Sequence, residues 1–99
     1  MFDLRFTDEA KVQYQDLKLN SAKAAKQAQV FKALGFLQNN PRHPSLHTHE
    51  YDAIPHPWNF NEKVWEAYAQ NKTPDAYRIF WCYGPERKQI TIIAITPHP

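Results

Sequence analysis

Three residue types that take part in acid–base and phosphate chemistry occur in the last third of the sequence. They are a carboxylate at Glu66, a guanidinium at Arg78 and an imidazole at His98. Glu66 and Arg78 lie in two stretches rich in aromatic and β-branched residues, which predicts neighbouring strands. Period-two alternation puts Glu66 and Tyr68 on one face of their strand, and makes Glu66 and Arg78 cross-strand neighbours. Such a pair is either a structural salt bridge or part of a reactive site.

Histidines form a second group. Four of the five, with two carboxylates, lie in a His/Pro-rich loop at about 40–61: His43, His47, His49, His56, Glu50 and Asp52. Imidazole and carboxylate bind zinc or nickel, but structural zinc sites normally add cysteines, and no predicted element fixes these rings. The sequence therefore predicts no metal site and no cofactor. We expect a solvated loop that packs Tyr51 and Trp58.

Aromatic side chains share one face of the strand that carries Arg78. This face is formed by Tyr77, Ile79, Trp81 and Tyr83, with Trp65 on the neighbouring strand. Aromatic rings near cations can stack on nucleobases, but a sheet packed against helices must bury one face, so an aromatic core is the favoured interpretation. Cys82 has no partner cysteine and no basic residue near it in sequence, which predicts a buried, unreactive thiol.

The elements that position these residues begin with an alternating strand over residues 1–6. Thr7 is a predicted cap for a helix over residues 8–19, and a second helix runs to about residue 38. Apolar residues at helical spacing predict the packed faces: Tyr14 and Leu17 on the first helix, and Ala24, Ala28, Phe31 and Leu34 or Gly35 on the second. The short link between the helices predicts an antiparallel hairpin.

Three further strands are predicted over residues 63–69, 76–83 and 89–96, with connections short enough for antiparallel pairing. The element order is β-α-α-β-β-β. We therefore expect an α+β fold: a mainly antiparallel four-stranded sheet with the N-terminal helical hairpin packed on one face. The first strand is expected beside the last one or next to the centre of the sheet. Residues 1–99 are predicted to form a single domain.

Composition narrows the function classes. The formal net charge is +2, from 12 Lys and Arg against 10 Asp and Glu, so net charge alone does not indicate a nucleic-acid partner. One cysteine excludes an intrachain disulfide, and a reducing cytoplasm fits best. No apolar run approaches the ~18 to 20 residues that cross a bilayer, so no membrane partner is predicted.

The segments Ala76-Tyr77-Arg78-Ile79-Phe80-Trp81 and Ile92-Ile93-Ala94-Ile95, the Trp65-Glu66 pair and the element order resemble the RelE/ParE superfamily of bacterial toxins. The likeness covers nearly the whole chain. It implies a toxin of a type II toxin–antitoxin system that cleaves mRNA in the ribosomal A site. The alternatives are a non-enzymatic ParE-like gyrase inhibitor, or an inactive member of the fold. The implied partners are a cognate antitoxin, the ribosome and mRNA; no oligomeric state is implied.

The resemblance also implies site residues for a metal-independent endoribonuclease. Arg78 matches the strand arginine that contacts the RNA phosphate in the nucleases, and His98 lies near their arginine or histidine after the last strand. Glu66 and Tyr68 stand about where some nucleases carry lysines, and Glu66 or His98 is the candidate base. Lys63, Arg87 and Lys88 are the predicted RNA-binding residues. His98 lies between two prolines, so we expect it to be mobile.

Overall fold

The computed structural model describes residues 1–98 as two helices and five strands. In chain order these are β1 (Asp3–Phe6), α1 (Asp8–Leu19), α2 (Ala24–Asn39), β2 (His49–Glu50), β3 (Trp65–Tyr68), β4 (Tyr77–Tyr83) and β5 (Gln89–Pro97). Short 3-10 turns over Ser21–Lys23 and Pro44–Leu46 precede α2 and β2. No helix among the described residues is long and apolar enough to cross a membrane.

The strands form one mixed sheet in the order β1-β5-β4-β3-β2. β1 pairs with β5 in parallel, and the other three pairings are antiparallel. The α+β class, the mainly antiparallel sheet and the four predicted strands are thus confirmed, with the first strand beside the last. The sheet has five strands and not four, because the edge strand β2 lies inside the segment predicted to be a loop.

Thr7 anchors the start of α1 to the sheet. Its hydroxyl oxygen accepts a hydrogen bond from the Ala10 backbone N–H at 3.1 Å, which is the N-cap predicted from the sequence. The same hydroxyl donates to the backbone oxygen of Ile93 at 2.7 Å. Opposite Phe80 and Trp81 the register of β5 shifts by a β-bulge, which leaves Ile93 free to make this contact.

The buried face of α2 is not the predicted one. Phe31 is 65% exposed, and Ala24 and Ala28 are also exposed. The buried residues are Val30, Ala33, Leu34 and Leu37. The first six residues of α2, 24–29, offer only alanines as apolar side chains, and burying a methyl group stabilises little. The larger side chains from Val30 onward therefore determine how the helix is rotated, and of the predicted stripe only Leu34 lies in the core.

Each face of the sheet carries its own apolar cluster. The face under the helices buries Ile79, Trp81 and the apolar sides of α1 and α2. The predicted aromatic core is thus confirmed for Tyr77 and Trp81, whereas Tyr83 at the end of β4 is exposed. The opposite face buries a smaller cluster of Val64, Phe80, Cys82, Ile93 and Ala94, partly covered by Tyr51 and Ile54 of the segment after β2. At the β3 and β4 end of this second face the apolar cluster gives way to charged residues.

Candidate active site

A buried carboxylate lies at the centre of this charged region. Glu66 is on β3, and only 1% of its surface is exposed. Its Oε1 lies 2.6 Å from His49 Nε2, and its Oε2 lies 3.1 Å from His98 Nδ1. A buried carboxylate without partners is strongly destabilising, so these contacts make its ionised form tolerable. Both oxygens of one carboxylate thus face imidazole rings.

The guanidinium of Arg78 lies beneath the surface beside Glu66. Its Nε is 3.5 Å from Glu66 Oε2, close enough for ion pairing, although Nε has no hydrogen-bond partner among residues 1–98. Its Nη1 donates to the backbone oxygens of Gln70 and Tyr77. Tyr68 covers it, with 3.7 Å between the ring centroid and Arg78 Cζ. Arg78 therefore balances the buried carboxylate and has little direct access to a ligand.

One histidine precedes Glu66 in the sequence and the other follows it, and the sheet brings both to the carboxylate. His49 stands directly opposite Glu66 in the antiparallel pairing of β2 with β3. His98 follows β5, and its backbone N–H donates to the Ala76 oxygen at 2.8 Å, which prolongs the pairing of β5 with β4. Where the sequence predicts a mobile residue, His98 is held at both its backbone and its ring.

The imidazoles form the solvent-facing layer of the site. The side chains of His49 and His98 are 47% and 51% exposed, above the buried Glu66 and Arg78. The ring of His47 is exposed as well, and its centroid lies 5.1 Å from that of Tyr68. The accessible reactive groups are therefore histidines, and the carboxylate and guanidinium support them from below.

Hydrogen bonding gives the two histidines on Glu66 different chemistry. His98 directs Nδ1 at the carboxylate, which favours a proton on Nδ1 and leaves Nε2 as an acceptor, the arrangement of a general base oriented by a carboxylate. Both ring nitrogens of His49 face oxygens, since Nδ1 lies 3.0 Å from the His47 backbone oxygen. These contacts occupy both ring nitrogens of His49, so neither is left free to act as a base.

The structure gathers some of the predicted site residues and separates others. Glu66, Tyr68, Arg78 and His98 lie together. Arg87 and Lys88 lie in the exposed turn beyond the far end of β4, roughly 17 Å from Arg78 along the strand at 3.3 Å per residue. Lys63 is exposed on the segment before β3 and pairs with Glu50 at 3.2 Å.

His47 and His49 were not predicted as site residues. The missed signal for His49 is alternation: His49 and Tyr51 share one side of the chain, and Thr48 and Glu50 the other, which is the pattern of a short strand. His47 lies outside that pattern, since it ends the preceding 3-10 turn with a φ of 48°. Two paired residues are too few for that pattern to stand out from a proline-rich segment. Within residues 1–98, no cluster of three or more His, Cys, Asp or Glu side chains is arranged to hold a metal ion.

Cys82 is buried on the same sheet face and is not part of the site. Burial, with a smaller effect from the negative charge of Glu62, raises the pKa of its thiol from 9.0 to about 12. The thiolate is the nucleophilic form of cysteine, so Cys82 is unreactive at neutral pH. The buried, inert thiol expected from the sequence agrees with this environment.

Comparison with known proteins identifies the fold. No protein-family model matches the sequence, and no curated protein matches it. The structure does match solved toxins. The YoeB/ParE toxin from Agrobacterium tumefaciens superposes with a TM-score of 0.69 at 11% identity, over 100% of both chains.

Two complexes give similar values. The toxin-antitoxin complex RelBE of E. coli matches with a TM-score of 0.64 at 16% identity, over 100% of this chain and 99% of the other. The archaeal RelE-RelB complex from Pyrococcus horikoshii matches with a TM-score of 0.63 at 13% identity, over 97% and 93%. The chain therefore has a RelE/ParE-like toxin fold, as the sequence resemblance predicts.

Proposed function

We propose that this RelE/ParE-like fold carries a metal-independent endoribonuclease, the toxin of a toxin–antitoxin pair, which cuts mRNA on the ribosome. The observation that supports the activity is the pair of half-exposed imidazoles on one buried carboxylate. A general base needs an accessible nitrogen in the correct tautomer, and the contact between Glu66 and His98 provides it. The two rings are half exposed, so a substrate can reach them, whereas it could not reach an ion pair that is buried throughout.

The proposed reaction is transfer of the phosphate to the neighbouring 2′-hydroxyl. His98 Nε2 removes the 2′-hydroxyl proton, the 2′-oxygen attacks phosphorus, and the bond from phosphorus to the 5′-oxygen breaks. In this proposal the ring of His49, held by Glu66, lies beside the phosphate and stabilises the negative charge that increases in the transition state. The departing 5′-oxygen takes a proton from His47, the exposed imidazole against Tyr68. The products are a 2′,3′-cyclic phosphate and a 5′-hydroxyl.

The surroundings of the site favour a substrate that is presented by a larger assembly. Arg78 is buried, and Arg87 and Lys88 lie beyond the other end of β4. With few exposed cations to attract a polyanion, the protein by itself is expected to bind free RNA weakly. This supports the ribosome as the element that positions mRNA. The matched RelBE and RelE-RelB complexes support a cognate antitoxin as a further partner. The proposed action on ribosomes implies the cytoplasm as the compartment.

End-labelled RNA tests the proposal, with and without ribosomes, in buffer containing EDTA. We expect cleavage on ribosomes and a cyclic phosphate at the new 3′ end. His98→Asn retains a hydrogen-bond donor toward Glu66 but lacks the base, so its rate should fall by about 100-fold or more. Glu66→Gln should be similarly slow, and Glu86→Gln, an exposed carboxamide in the β4–β5 turn, is the matched control.

Three outcomes would contradict the proposal. Undiminished cleavage by His98→Asn would remove His98 from the reaction. Intact RNA together with inhibited gyrase supercoiling would assign the chain to the ParE-like binders. Intact RNA, active gyrase and normal growth on induction would indicate an inactive member of the fold.

A further inference from the structure

An apolar groove lies on the same sheet face as the proposed site, beside the carboxylate and its histidines. It encloses about 280 Å³. Its lining includes Tyr51 and Ile54 of the segment after β2, Phe80 on β4, Ala94 and Thr96 on β5, and Glu9 on α1. This volume lies just below the roughly 300 to 1,000 Å³ of drug-sized ligand sites, so the groove suits a single ring system.

The strand register places this groove next to the proposed site. Phe80 lies directly opposite Glu66 in the pairing of β3 with β4, and Ala94 lies opposite Phe80 in the pairing of β4 with β5. Thr96 precedes His98 by two residues, so period-two alternation puts both on one face. A group bound in the groove therefore lies beside the contact between Glu66 and His98.

Helix α1 places a carboxylate at the far end of the groove. β1 pairs with residues 89–92 of β5, and beyond them α1 runs along the edge of β5. Gln13 Oε1 accepts a hydrogen bond from the Ile95 backbone N–H at 2.6 Å, and Gln13 Nε2 donates to Glu9 Oε1 at 3.3 Å. Gln13 therefore joins Glu9 to the sheet and holds its carboxylate at the mouth of the groove.

The surfaces that a ligand can reach in this groove are an aromatic ring and the carboxylate. Tyr51 packs against Phe80, with 4.6 Å between the ring centroids, and is itself partly exposed. Glu9 is exposed, and within residues 1–98 it is the one charged side chain of the lining. Proteins stack single-stranded bases on aromatic rings, and carboxylates accept hydrogen bonds from the amino groups of bases. The groove therefore fits a flat ring with N–H donors along its edge.

Guanine has the edge that matches Glu9 best. Its N1–H and its N2 amino group are adjacent donors, and the two oxygens of a carboxylate can accept from both. Adenine and cytosine carry an amino group next to an acceptor nitrogen, and uracil has one N–H between two carbonyl oxygens. Those acceptors would face the negative charge of Glu9, which is unfavourable.

We propose that this groove is a base subsite that selects guanine in the nucleotide whose 2′-hydroxyl faces His98. The guanine ring stacks on Tyr51, and its N1–H and N2 amino group donate to Glu9. The inference rests on the proposed function for its RNA substrate, and it adds a preference for cleavage after guanosine. Binding can nevertheless be measured without cleavage.

The experiment follows the isoleucine δ1-methyl signals by NMR during titration with GMP, AMP, CMP and UMP. Two of the six isoleucines, Ile54 and Ile93, line the groove, and the other four belong to the cluster under the helices. Single Ile→Val variants assign the signals. GMP should shift the signals of Ile54 and Ile93 at the lowest concentration and leave the other four in place. Unshifted signals of Ile54 and Ile93 with GMP, or equal binding of all four nucleotides, would overturn the proposal.

Variants identify the contacts. Glu9→Gln should weaken GMP binding about tenfold, as expected for the loss of one charge-assisted hydrogen bond. Asp8→Asn, at the exposed neighbour in the first turn of α1, changes the net charge equally and should leave the affinity unchanged. Tyr51→Leu should weaken binding about fivefold, whereas Tyr51→Phe keeps the ring and the affinity, with melting temperatures measured in parallel. Equal affinity of Glu9→Gln and wild type for GMP would contradict the selection of guanine.

Further results separate this inference from its premise and from a different occupant. GMP binding at Ile54 and Ile93 without RNA cleavage would preserve the guanine groove and refute the nuclease. Cleavage without preference for guanosine, together with unshifted signals in GMP, would preserve the nuclease and refute the groove. A shift produced by N-acetyl-leucine amide and by no nucleotide would refute the base subsite and indicate a peptide side chain as the occupant.

Discussion

At the residue scale, the site depends on one buried charge whose partners differ in accessibility. Glu66 and Arg78 are both buried, whereas His49 and His98 are half exposed. Replacing a buried ion pair as a whole is often tolerated, but removing one partner leaves an uncompensated charge. In the proposed site, the pair holds the two histidines in place from below and does not itself contact the substrate.

Arg78→Ala should lower the free energy of unfolding by about 3 kcal/mol, because it leaves the Glu66 carboxylate buried beside an empty space. Denaturant unfolding measures this value. In the double variant with Glu66→Gln the two losses should be less than additive, since neither charge is then left unpaired. Additive losses, or an Arg78→Ala protein as stable as wild type, would show that the 3.5 Å pair contributes nothing.

At the element scale, the sequence determines where helices and strands occur better than it determines their rotation. The bounds of α1 follow from Thr7, the acidic first turn and the apolar spacing, and the predicted helix agrees with Asp8–Leu19. For α2 the sequence contains two sets of apolar residues at helical spacing, and the two sets share Leu34. Only the sheet selects the one that contains Val30 and Leu37, because that selection depends on contacts distant in sequence.

The rotation of α2 has a measurable consequence. Leu34→Ala removes a buried side chain and should cost about 2 to 4 kcal/mol of unfolding free energy. Phe31→Ala removes an exposed ring and should change stability by about 0.5 kcal/mol or less. Both values come from chemical denaturation. Equal losses in the two variants would place Phe31 in the core and contradict the observed orientation.

The candidate site, too, was predictable only where a local sequence pattern determines its geometry. Alternation along β3 and β4 is sufficient to bring Glu66, Tyr68 and Arg78 to one face. The contribution of His49 depends on an edge pairing only two residues long, and that of His98 on a hydrogen bond after the last strand. The edge pairing leaves too short an alternation to be recognised in the sequence, and the hydrogen bond of His98 leaves no sequence pattern. The resemblance to a known family indicated His98, whereas His49 emerged only from the structure.

At the scale of the whole molecule, the thiol of Cys82 on the buried second sheet face can report whether the folded protein opens. Cys82 lies on the central strand β4 with no exposed surface. In the folded protein it should react with iodoacetamide at pH 8 far more slowly than in urea. Fast labelling of the native protein would show that this face opens without unfolding.

The same thiol makes stability depend on pH in a defined direction. Its pKa is raised from 9.0 to about 12 on folding, so its contribution is complete below pH 9 and is lost between pH 9 and about 12, where only the unfolded chain releases the proton. Urea unfolding at pH 8 and pH 10.5 should show a larger decrease for wild type than for Cys82→Ala. An equal decrease in both proteins would indicate another titrating group.

The contact between His98 and Glu66 joins residues that are 32 positions apart in sequence, and the ribosome adds the histidine after every other site residue. A nascent chain therefore carries the carboxylate, the guanidinium and His49 before it carries a base. If the proposed chemistry is right, a polypeptide that terminates anywhere before codon 98 is harmless to the cell that makes it. Nonsense and frameshift mutations throughout the gene should accordingly be recovered among survivors of toxin induction, including those that leave nearly the whole sheet intact.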